Sequence, residues 1–210
     1  MLSFAALLGS AGYGQYLMAS ESLLVPAKID LNDDEYWTGI KKRDDRTLFL
    51  TNPEKHTQIL CLAQNIYFEA GIDNLAGMAG VADVTLNRVV DARYGNTVCD
   101  VIHHAVYRES WTTKQTPDEN DAVYYPVKNK CAFSWFCDGL PDTIPYGSSN
   151  WKKSQLVAWD MYMTGKWRGI SEGSTHYHAT YATFGQGDWR RDRGMQLIGR
   201  IGAHIFYKWN

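Results

Sequence analysis

The sequence has no excess of positive charge, no apolar run long enough to cross a bilayer, no paired CxxC motif and no HExxH run. Each absence removes a class of function. With 21 Lys and Arg against 23 Asp and Glu, the formal net charge of -2 gives no field for holding nucleic acid, and no basic stripe accompanies the aromatic rings. The apolar stretch from Phe4 to Leu8 is short and followed by glycines, which argues against stable membrane insertion. It is also a poor secretory leader, since no Lys or Arg precedes it and no clean small-x-small site follows. Without CxxC pairs there is no zinc ribbon, and no metal or other cofactor is expected.

What is present is one domain's worth of chain, rich in rings. The 210 residues suit a single core with an appendage, and many of the eight Trp and thirteen Tyr lie between Tyr107 and Trp189. Such rings either pack a core or line a groove for a sugar polymer. Residues 1–50 have weak periodicity and read as an N-terminal extension, leaving 51–210 as the domain. Asn52, Pro53 and Glu54 form a helix start, followed by Ile59, Leu62, Ala63 and Ile66 on one face and a stop at Gly71. A second helix runs from Asn74 to about Val89, with Gly77 and Gly80 allowing another backbone to approach. Thr97 and Asp100 cap a third, through Tyr107, after which 108–150 reads as long loops. Ser148 to Asn150 opens a helix from Trp151 to about Thr164, ended by Gly165. Thr175 to Ala182 and Leu197 to Trp209 alternate as strands. The reading is an α+β domain, helices first, with a small antiparallel sheet toward the C-terminus. Cys61 lies in an apolar helical pattern and reads as a buried thiol, with a disulfide expected among Cys99, Cys131 and Cys137.

Glu69 is the candidate for chemistry. It stands in NIYFEAG, in the last turn of the apolar first helix, where the negative end of the dipole and the neighbouring Tyr67 and Phe68 oppose a carboxylate charge. Both effects favour a protonated acid near neutral pH, as glycoside cleavage requires. A Glu at a helix end is otherwise an ordinary surface residue, so its neighbours in the sequence must decide.

The runs CLAQNIYFEA, GMAGVADVTLNRV, NTVCDVI, CAFSWFCDG, STHYHATY and RIGAHIFYKW, in this order, resemble the SleB-type cell wall hydrolase family of spore-cortex-lytic enzymes and phage lysins. The resemblance covers about residues 58–208. It implies a lysozyme-like domain, bacterial peptidoglycan as substrate, Glu69 as catalytic acid, and a monomer acting at the cell envelope or, if phage-encoded, on a host wall. The reaction it implies is lytic transglycosylation between N-acetylmuramic acid and N-acetylglucosamine, which needs one carboxyl group. A hydrolase would need a second, and Asp73 and Asp83 are nearest in sequence, although they read as turn and helix-surface residues.

Ser134 and Trp135, Tyr177 and His178, and Asn87 are the expected substrate-binding residues. Trp135 has a core-anchor reading of equal weight, and Asn87 one as a cap or packing contact. Strand alternation sends His176 and His178 to one face and Tyr177 to the other. A rival reading, a zinc amidase, would use His176 and His178 with His204, an Asp or a Cys as the third ligand. Another keeps the fold as a non-catalytic wall-binding or virion module. The segment 109–130 is longer than the family pattern leads one to expect before CAFSW.

Overall fold

Apolar residues at helical spacing build the first helix and aim it at the core. In the computed structural model, which describes residues 56–115, 122–184 and 188–210, α1 spans Thr57–Ala70 and buries Ile59, Leu62, Ala63 and Ile66 before ending at Gly71. The expected start at Asn52 and the extension over residues 1–50 lie outside the described residues. Asn74 caps α2 (Leu75–Val90) by accepting from the Gly77 amide at 2.9 Å. Every residue from Leu75 to Thr85 is buried, so α2 is the central helix and is surrounded on all sides. Truncating a fully buried residue such as Leu62 to Ala should cost about 2–5 kcal/mol.

Two expectations about spacing are corrected here. Gly80 does make room, but for a side chain: a Cβ there would meet the Phe206 ring, while one at Gly77 would meet the Asp73 carboxylate. The third helix, α3, covers only Val98–Ile102, capped by Thr97. The chain beyond it turns into a strand, because Ala105–Glu109 (β1) pairs antiparallel with Tyr124–Cys131 (β2). The 108–150 region is therefore partly a hairpin, and the long segment 109–130 supplies its second arm.

The cysteines are paired, among the described residues, as Cys61–Cys99 and Cys131–Cys137. Cys61 is thus no free thiol. Packing of α3 beside α1 brings the Cα atoms of Cys61 and Cys99 to 5.3 Å, within bridging reach. The second bridge closes the turn holding Ser134–Cys137 onto the end of β2.

Ser148 caps α4 (Ser149–Trp159), accepting from the Trp151 amide at 3.2 Å, and a widened turn over Asp160–Thr164 carries it to Gly165. The C-terminal sheet has the order β3 (His176–Ala179), β5 (His204–Trp209), β4 (Met195–Ile201), all antiparallel. The run expected as one strand from Leu197 is a hairpin. Gly202 turns it with φ +56°, and the Ala203 amide donates to Asp73 Oδ2 at 2.8 Å. This hydrogen bond pins the hairpin to the link between α1 and α2. Phe206, fully buried, packs the sheet onto α2.

Candidate active site

The face of β3 and β5 that meets α1 carries Tyr177, His204 and Phe206. Their rings pack edge-on or tilted, at 5.2 Å for Tyr177 with His204 and 5.6 Å for Tyr177 with Phe206. Glu69, partly buried in the last turn of α1, receives the Tyr177 hydroxyl proton at 3.1 Å on Oε2. Burial raises the pKa of Glu69 above the ordinary carboxyl value, and it outweighs the Tyr177 hydrogen bond and the charges of His204 and Arg88, which act the other way. Tyr177 is pushed up as well, by burial and by the neighbouring Glu69, so its hydroxyl keeps its proton to donate.

These groups border a cavity of about 500 Å³. Phe68, Arg88, Phe133, Ser134, Trp135 and Asp138 form much of its wall, and His178, Tyr181 and Ala182 another side. Ser134 is exposed and lines it. Trp135 is buried: its indole N–H donates to Asn65 at 2.9 Å and its ring stacks on Phe68 at 4.6 Å. That ring forms the wall and anchors the core. Tyr181, which sequence reasoning passed over, is 84% exposed at the same cavity.

Asn87 does not line this cavity. Its amide donates to Ser171 Oγ and the Ser174 carbonyl and accepts from Arg168, tying the segment before β3 onto α2. The packing reading therefore describes its contacts. Asp83 does the same one turn earlier and is no surface residue. It is fully buried, paired with Arg168, and accepts from the Gly169 and Ser171 amides and from Ser171 Oγ at 2.6 Å. Asp73 is equally engaged. Burial alone would raise its pKa, but His204 and the Ala203 and Asn74 amides together hold it below the usual carboxylate value. Neither aspartate borders the cavity.

Asp138 does, and no local pattern marked it. It follows Cys137 directly, and the Cys131–Cys137 bridge folds it back toward α1. Arg88 was legible by contrast: Val81, Val84, Thr85 and Arg88 recur at the spacing of one helix face, which places the guanidinium on the buried side. Arg88 donates to the Thr175 carbonyl at 2.8 Å and lies over the Phe133 ring at 4.8 Å.

His176 and His178 occupy the opposite face of the sheet, against Trp189. His178 also contacts the Tyr207 hydroxyl at 3.2 Å and the Phe184 ring. His204 points the other way, its Nδ1 3.3 Å from Asp73 Oδ2 but off the line of a good hydrogen bond. The three imidazoles of the zinc reading do not converge, and among the described residues no three His, Cys, Asp or Glu side chains do so.

The profile of the cell wall hydrolase family matches residues 73–207, beginning just beyond α1 and so just beyond Glu69. The catalytic domain of the Bacillus cereus SleB protein is 24% identical, with 73% of this chain and 91% of that chain covered and a TM-score of 0.44. The catalytic domain of the germination-specific lytic transglycosylase SleB from Bacillus anthracis is 24% identical, with 76% and 100% covered and a TM-score of 0.47. No curated protein matches the chain.

Proposed function

The chain belongs to the cell wall hydrolase family and is an enzyme that cleaves peptidoglycan, and we propose that it does so by lytic transglycosylation with Glu69 as its acid and then its base. The observation that carries the reading is the placing of Glu69: a carboxyl at the cavity wall, hydrogen-bonded by Tyr177, with a pKa that burial raises. Protonated Glu69 gives its proton to the glycosidic oxygen as the bond to C1 of N-acetylmuramic acid breaks. The 6-hydroxyl of the same sugar then closes on C1 and returns a proton to the Glu69 carboxylate, leaving a 1,6-anhydro end. No water and no second carboxyl group enter. Ser134 and Tyr181 are read as hydroxyl and ring contacts to the glycan, Tyr177 as the group that orients Glu69, and Trp135 and His178 as wall. Asn87 is read as a positioning residue for the segment leading to Tyr177.

Asp138 favours a second reading, in which it activates water on the far side of the sugar and the product has a reducing end. Mass spectrometry of muropeptides released from purified sacculi separates the two. Anhydro ends support transglycosylation, and reducing ends transfer the role of base to Asp138. Release of free stem peptides alone would overturn both.

A further inference from the structure

Beside the catalytic cavity lies a second, of about 460 Å³, and the two share Arg88, Cys131, Ala132 and Tyr177 as their common wall. The second is lined by Arg88, Arg93, His104, Lys130, His176 and Trp189, among others, and no Asp or Glu among the described residues lines it. In a chain of net charge -2 such a grouping is no consequence of overall composition. Arg93 is already paired with Asp91 at 2.5 Å and stays half-exposed. Arg88 is different: it is 7% exposed and its partners are the Thr175 and Ala132 carbonyls and the Tyr94 and Phe133 rings, with no carboxylate paired to it among the described residues. A buried cation held only by dipoles leaves a positive field to be completed by an anion. His176 reports that field. Burial first, then the charges of Arg88 and Arg93, lower its pKa to about 4 against an opposing pull from Asp91, leaving a neutral ring at the cavity edge.

We propose that this second cavity binds the carboxylates of the peptidoglycan stem peptide, with Lys130 and Arg88 as the main cationic contacts and His104 at the rim. The inference rests on the reading of Glu69 as the glycan-cleaving acid. The stem is attached through the lactyl ether at C3 of N-acetylmuramic acid, two carbons from the C1 that reacts. A sugar placed with C1 at Glu69 therefore delivers its peptide to whatever cavity adjoins, and here that neighbour is cationic. The reaction itself is untouched, so recognition appears in KM rather than kcat.

Three sacculus preparations test this: strands with free stem carboxylates, strands with those carboxylates amidated, and strands stripped of peptide by an amidase. The wild-type chain should show a KM about tenfold lower on the first than on the other two, with the gap shrinking at high salt. Lys130→Glu, an exposed change on β2, should raise KM about tenfold on free-carboxylate strands alone and leave kcat unchanged. Equal KM on all three strands, or a Lys130→Glu effect that persists on stripped strands, overturns the inference. The ends in the same digests report separately on Glu69: anhydro or reducing termini with equal KM values sink the peptide cavity only, and absence of any glycan cleavage sinks both.

Discussion

Two buried carboxyl groups, Asp83 in α2 and Glu69 in α1, meet opposite treatment. Asp83 is saturated: a guanidinium, two backbone amides and a serine hydroxyl converge on its two oxygens. Glu69 receives the Tyr177 hydroxyl, with Arg88 and His204 acting only through their charge. Burial alone therefore does not set the behaviour of a carboxyl group. The supply of donors matters as much, because donors favour the carboxylate while their scarcity lets burial favour the protonated form.

Removing the proton carrier gives the largest effect. Glu69→Gln should lower muropeptide release from sacculi by about 10²–10⁴-fold while sacculus binding persists. The same variant sharpens the contrast through stability. A carboxyl whose folded value lies above its unfolded value of about 4.5 costs folding free energy as pH rises from that value to the folded one, since the native state then holds the proton that the unfolded chain has released. Glu69→Gln should therefore melt above the wild type at neutral pH and match it at pH 4. Thermal scans across pH check this, and a lower melting temperature at pH 7 would break the comparison.

Asp83→Ala attacks the other side. It strands Arg168 and several donors, and should cost about 3 kcal/mol in a urea titration, at the low end for buried pairs because Arg168 is 31% exposed. A variant that unfolds no more readily than the wild type would deny Asp83 its structural role. Tyr177→Phe withdraws the donor from Glu69. Net hydrogen-bond strength implies a loss of about 2–10-fold in kcat. Losing a bond that favours the carboxylate raises the pKa of Glu69 further, so the alkaline limb of the pH–rate profile should move upward. A downward move would mean that the hydroxyl favours the protonated form. Asp138→Asn is expected to have the smallest effect, within about threefold of wild-type release, since transglycosylation draws on one acid.

The two carboxyl groups also show what the chain discloses locally. Glu69 was legible because everything that perturbs it at first order, the helix end and the Tyr67 and Phe68 neighbours, lies within a few residues. Asp83 was misread as a surface position, because its donors come from Arg168, Gly169 and Ser171, more than eighty positions away. The helices announced themselves through caps at Asn74, Thr97 and Ser148, each of which does accept an amide. The hairpin of β1 and β2 did not. Its second strand, YYPVKNKC, is mostly exposed and contains proline and charged residues, so no face alternates toward a core. Cys61 hid its bridge in the same way, since a half-cystine on an apolar helix face looks like any small core residue. Asp138 reaches the cavity only once a bridge has bent the chain, and no spacing in the sequence encodes that.

The Cys61–Cys99 bridge has one more consequence. It fastens α1 a little over two helical turns before Glu69, and closing a loop of 38 residues is worth about 4 kcal/mol in chain-entropy terms. Thiols persist in a reducing cytosol and oxidise outside it. The helix that carries Glu69 is thus braced only where the bridge is oxidised, so reduction should lower the melting temperature of the chain.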